Sequence, residues 1–208
     1  MSRRAILVPL LALAGVLAVL AFARPEPQAC AAEGAEFLSQ KGCKKCHFKQ
    51  AKSWKKTVHA KAMDDLKPGA AAEAKTKAGL DPAKDYTKDP ACLKCHVTGY
   101  GQAGGYPEVK DAWSEDEQKL AKNNGGVGCE SCHGAGSKYG PYKKDHEDYK
   151  VADVVALGLQ IPVTAENCTG CHNTDSPTAG EGYVFDFEKM KANVEAIHEH
   201  TPLKHEHK

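Results

Sequence analysis

The chain has 208 residues, with 28 Lys and Arg against 27 Asp and Glu, and so a formal net charge of +1. No arginine occurs after Arg24, and bidentate contacts to bases and phosphates depend heavily on that residue, so no nucleic-acid partner is expected. Beyond residue 31 large apolar residues are sparse while Lys, Gly, Ala, Asp and Glu are abundant, which leaves a core of side chains alone thin.

The first element is a basic opening, Met1-Ser-Arg-Arg4, followed by an uncharged run from Ala5 to Ala23 that stops at Arg24-Pro25. This is the layout of a secretory signal, with Ala21-Phe-Ala23 and Ala29-Cys-Ala31 as small-x-small cleavage sites. The run also has the length of an uncleaved membrane anchor, since about 17 to 25 apolar residues span a bilayer. Cleavage after Ala31 is favoured because it removes Cys30 and leaves eight thiols. The context "PQAC" lacks the upstream aliphatic residue of a lipidated cysteine. Residues 32–208 are then expected to form one domain.

From Lys41 to Ala62 the chain carries eight lysines, Lys41, Lys44, Lys45, Lys49, Lys52, Lys55, Lys56 and Lys61, and no Asp or Glu. Phe48 to Leu66 has few breakers and is expected to be one helix, ended by Pro68. Ala-rich Ala70 to Lys77 is expected to be another. The glycine-dense stretches "GYGQAGG" (Gly99 to Gly105) and "GGVG" (Gly125 to Gly128) either let backbone close on a flat partner or are plain loops. A last helix is predicted from an N-cap at Asp186, with Phe187, Met190, Val194 and Ile197 on one stripe. No alternating strand pattern is visible, so the fold class is mainly α with little or no sheet.

One pattern, Cys-x-x-Cys-His, runs through these elements four times: Cys43, Cys46 and His47; Cys92, Cys95 and His96; Cys129, Cys132 and His133; Cys168, Cys171 and His172. Two such cysteines can add across the vinyl groups of one haem, and the histidine reaches its iron. Each copy therefore reads as one covalently attached c-type haem, four in all. A zinc site needs no histidine after every second cysteine, a redox dithiol is single, and a disulfide framework does not keep one spacing throughout. Four porphyrins supply the apolar mass that the side chains lack, so haem burial and ligation are expected to carry much of the folding free energy. The expected architecture is a single compact domain built around the haems, with a haem-free chain largely unfolded. Haem attachment takes place outside the energy-conserving membrane, which agrees with the signal on a bacterial periplasm.

Each iron has a second axial position, and its occupant decides what the centre can do. Besides the motif histidines there are His59, His146, His198, His200, His205 and His207. The last two sit in the polar tail "KHEHK" and read as surface residues. His198 follows Val194 by four residues at the edge of the predicted stripe, whereas His200 is turned about 200° from His198. His59 shares a predicted helical face with Met63 and Leu66 and projects inward; Met63 is an alternative ligand that more often packs. His146 lies in a polar loop and reads equally as ligand or surface residue. Three second histidines for four haems suggest one iron without a protein ligand on its distal side.

The strings "SWKKTVHAKAMDDLKP", "LDPAKDYTKDPACLKCHVTGYGQAGGY" and "GVGCESCHG" closely resemble the tetrahaem cytochrome c-554 family of ammonia-oxidising bacteria. The likeness covers about Gly42 to His133 and resumes at "CTGCH" and "FDFEKMKANVEAIHEH". The resemblance implies a helical, haem-packed fold that takes electrons from hydroxylamine oxidoreductase and passes them toward a membrane-associated cytochrome. It also implies His146 opposite His47, His59 opposite His133, His198 opposite His172, and His96 alone on a five-coordinate second haem. Between His172 and Tyr183, "NTDSPTAGEG" is shorter than the Pro/Phe-containing insert that covers the open haem in the family.

The lysine run surrounds the first motif. It is either a plain solvated face or a positive rim that steers an acidic redox protein toward Lys41 to Lys61. The expected function is an electron carrier and not an enzyme. The alternative is reduction of nitric oxide or another small N-oxide at the second haem, and a third reading is a subunit whose haems only store charge.

Overall fold

A computed structural model describes residues 32–180 and 182–202, so the predicted signal and the tail histidines His205 and His207 lie outside the described residues. In chain order the elements are α1 (Ser39–Lys44), α2 (Phe48–Trp54), a 3₁₀ helix (His59–Leu66), α3 (Ala72–Lys77), α4 (Pro90–His96) and α5 (Glu115–Asn124). They continue with α6 (Cys129–His133), α7 (Tyr139–Tyr142), α8 (Val151–Ala156), α9 (Ala165–Thr169) and α10 (Phe187–Met190). No strand occurs among the described residues, where a lone antiparallel bridge joins Val97 to Gly125. The mainly α class is therefore as expected. No helix among them is long and apolar enough to cross a membrane.

The helix expected over Phe48 to Leu66 is in fact two elements. Buried Thr57 turns its hydroxyl onto the Trp54 carbonyl at 2.8 Å and accepts the Ala60 N–H at 3.3 Å, bonds that compete with the helical ladder. Val58, β-branched as well, sends its N–H to the Glu195 carbonyl at 2.8 Å. The chain resumes as a 3₁₀ helix with about three residues per turn, so His59 stands in line with Ala62 and not with Met63 and Leu66.

At the other end Asp186 caps α10 as predicted, its carboxylate accepting the Lys189 N–H at 3.0 Å. The helix stops at Met190, well short of the expected stripe. Asn193 accepts the Glu195 N–H on its side chain at 3.0 Å and the Ile197 N–H on its carbonyl at 2.8 Å, so the chain continues as turns. Val194 is left 59 % exposed. In α5, which periodicity did not reveal, Ser114 and Glu117 exchange capping bonds of 3.3 and 2.9 Å.

The apolar core is small. Leu66, Tyr86, Leu93, Val97 and Tyr106 form its buried cluster, with Met63 packed against it, so Met63 is a core residue. Leu93 lies between the two cysteines of the second motif and is fully buried. Replacing it with alanine is expected to cost the holo-protein about 2–5 kcal/mol, read as a lowered midpoint in thermal or denaturant unfolding. The glycine-dense loop closes on Phe37: a Cβ at Gly104, where φ is +74°, would collide with the Phe37 carbonyl.

Candidate functional site

Each motif folds as a single helical turn. Cys129 to His133 is α6 itself, and Cys92 to His96 is the last turn of α4, which Asp89 caps by accepting the Ala91 N–H at 2.9 Å. In the first and fourth motifs the histidine N–H bonds the carbonyl of the first cysteine, at 3.0 Å for His47 and 2.9 Å for His172. One turn brings positions i, i+3 and i+4 to one face, so both thiols and the imidazole can address the same planar group.

The four turns are not independent of one another. The first and third motifs are neighbours through α1 and α6, and Cys95 and Cys171 line one cleft. Burial pushes the Cys132 thiol up to about 11, with the Cys168 thiol adding to it. α1 accordingly packs on α6, and α6 on α9. The attachment points thus fall in the spatial order first, third, fourth, second.

The imidazoles are held in a consistent way. A backbone carbonyl stands opposite Nδ1 of His59 (Ala196, 2.7 Å), His96 (Ala62, 2.6 Å) and His133 (Gln160, 3.1 Å). The same holds for His146 (Tyr142, 3.0 Å) and His198 (Glu199, 2.9 Å). A carbonyl can only accept, so Nδ1 carries the proton and Nε2 keeps its lone pair for a metal. Burial lowers the pKa of His59, His133 and His172 and so favours the neutral, ligating form. His47 is exposed, yet its partial burial still lowers its pKa most, followed by the charges of Lys143 and His198.

The ring neighbours differ from the pairing that the resemblance implies. His59 faces His172, with centroids 5.9 Å apart and planes at 61°. His198 faces His133, at 6.4 Å and 33°. The crossover follows from the fold: the turns at Asn193 to Ile197 lie against Val58 and His59, so the two histidines share one crossing and look toward different motifs. His146 stacks on Tyr142 at 3.8 Å and is exposed.

These residues fit covalently attached haem. Metal–imidazole bonds of about 2.0 Å place two imidazoles on opposite sides of one metal with centroids roughly 6 Å apart, as both pairs have. A cleft of about 920 Å³ reaches from Cys95 to Cys171 between apolar walls that include Val97, Leu159 and Ile161. A second cavity of about 200 Å³ holds Cys92, Cys95 and His96 against Asp175, Ser176, Pro177 and Thr178. Short as it is, the segment after His172 therefore does wall the second site. His96 is the one histidine among the described lining residues, and no methionine joins it.

Two structural residues escaped the sequence reading. Thr98, fully buried, donates its hydroxyl to the Gly126 carbonyl and accepts the Gly128 N–H, both at 2.8 Å, tying the second motif to the third. Glu130, the first intervening residue of "CESCH", is 1 % exposed and accepts the N–H groups of Leu38 and Gly136 at 2.8 Å each. The motif spells out a glutamate but gives no sign of its burial.

Four haem-binding turns packed next to one another, with no strand among the described residues, define a multihaem c-type cytochrome. Residues 42–134 match the family described as cytochrome c554 and c-prime. The chain is 38% identical to cytochrome c-554 of Nitrosomonas europaea over 212 residues, covering 91% of this chain and 86% of that protein. The structure of the reduced state of cytochrome c554 from that organism matches with a TM-score of 0.66 at 38% identity, over 82% of this chain and 88% of that one. This chain belongs to the cytochrome c-554 family, the electron-carrying cytochromes with covalently bound c-type haems.

Proposed function

We propose that the chain is an exported, periplasmic relay that receives electrons from an acidic donor, hydroxylamine oxidoreductase, and passes them toward a membrane-associated cytochrome. Iron that cycles between two oxidation states supplies the chemistry; the chain's residues hold, space and shield it. The observation that carries this reading is the setting of the first motif. All eight lysines from Lys41 to Lys61 are exposed, and so are Cys46 and His47 in their midst. Phe48 and Val58, each 58 % exposed, add apolar surface inside the charged ring. A positive rim around an open redox edge speeds encounter with a negative partner.

The rate of electron exchange with the donor is expected to fall roughly tenfold as salt rises from about 0.01 to 0.15 M, over which the screening length shrinks from about 30 to 8 Å. The double variant Lys52→Glu, Lys55→Glu is expected to slow it further at low salt. A rate indifferent to salt removes the docking role of this face.

His172 with His59, His133 with His198, and His47 with His146 would each hold one haem iron. Lys143, three residues before His146, already acts on His47. The second centre takes His96 alone. The single-histidine cavity favours one second reading, reduction of nitric oxide at that centre. A fully low-spin protein that leaves nitric oxide and cyanide unbound would eliminate it.

A further inference from the structure

Lys75 is 4 % exposed, the only buried lysine among the described residues. It belongs to α3, and its side chain reaches the wall of the cavity that holds Cys92, Cys95 and His96. Its Nζ donates to the Lys67 carbonyl at 2.7 Å and stands 5.4 Å from the centroid of the buried Tyr86 ring. Both partners attract a cation, yet neither carries a formal negative charge. Among the described residues no carboxylate lies within ion-pair distance of it. Asp65 and Asp175 line the same cavity and Asp85 interacts with the Lys75 charge, but all three are exposed, so water screens them. A buried cation with no buried counter-ion is costly unless something nearby gains from its field.

We propose that Lys75 sets the reduction potential of the second haem, holding it above the value the site has without the ammonium. An iron centre that accepts an electron gains one negative charge. A fixed positive charge in a low-dielectric wall stabilises that reduced state more than the oxidised one. Lys75 touches neither electron partner, so it is a positioning residue that acts through electrostatics. Lys84 provides the internal control. Its Nζ lies 5.0 Å from the same Tyr86 centroid, but the residue is exposed, and solvent weakens its field.

The test is redox titration of the holo-protein, followed optically and by EPR so that all four midpoints are read. Lys75→Met is expected to lower one midpoint by about a tenfold change in its reduction equilibrium, about 59 mV for a one-electron couple, with the other three close to their original values. Lys84→Met is expected to shift it by less than a third as much, and Lys75→Arg to restore it. Unchanged midpoints in Lys75→Met, an equal shift in Lys84→Met, or a fall shared by all four centres would overturn the proposal. Should Lys75→Met lose haem, Lys75→Gln keeps an N–H donor for the Lys67 carbonyl and is titrated instead; haem loss in both variants would leave Lys75 a packing residue and likewise overturn it.

Discussion

Replacing His59 with alanine is expected to convert the centre attached to Cys168 and Cys171 from low-spin to high-spin and to leave the centre at Cys129 and Cys132 low-spin. The reason is the crossing of two segments. The 3₁₀ helix starts at His59, whose Nδ1 bonds the Ala196 carbonyl, and its ring then stands 5.9 Å from His172. His198, two residues past that carbonyl, faces His133 at 6.4 Å. Interplanar angles of 61° and 33° make the two pairs distinguishable by EPR, because more nearly perpendicular imidazoles give the more anisotropic low-spin signal. His59→Ala and His172→Ala should therefore delete one and the same signal, the more anisotropic one. His198→Ala and His133→Ala should delete the other. If His59→Ala and His133→Ala instead share a signal, the partners are those that the resemblance implies.

The parts of this molecule legible in its sequence are those whose chemistry is local. A haem-binding turn needs two thiols and an imidazole within one helical turn, so it is written in five consecutive residues and appears intact in the fold. Helix boundaries were harder to read. The break after Trp54 hangs on Thr57, whose hydroxyl bonds are as compatible with a helix interior as with its end until Val58 finds Glu195, 137 positions further along the chain. The stop after Met190 goes with Asn193, whose side chain and carbonyl both accept N–H groups from the turns that follow. By contrast, α5 was signalled by Ser114 and Glu117 in capping-box spacing, a cue that hydrophobic periodicity alone passes over. Ligand pairing was the least legible feature, because it depends on where the C-terminal turns cross the 3₁₀ helix. The apolar stripe of an ideal helix over Phe187 to Ile197 pointed to His198 on geometry that the chain does not adopt there.

Without haem attachment, residues 32–208 are expected to show no cooperative unfolding transition. Only ten apolar residues are buried among those described, and five of them form the one cluster behind the second motif. The longest α-helix among the described residues has ten residues, short of the roughly 12–15 at which isolated helices become marginally stable. Ordering a residue costs about 1–2 kcal/mol in backbone entropy, so this little apolar burial leaves most of the cost to be met by the cofactor. The motifs should then differ in how much of the fold they support. Cys92→Ala with Cys95→Ala removes the partner against which Leu66, Tyr86 and Leu93 are organised, and is expected to abolish accumulation of folded protein. Cys43→Ala with Cys46→Ala acts where Cys46 and His47 are exposed, and is expected to leave a three-haem protein with a lowered melting temperature. Circular dichroism, haem staining and mass spectrometry read both outcomes. A haem-free chain that melts cooperatively would show that the side chains suffice, and equal effects of the two double variants would show that the core has no preferred motif.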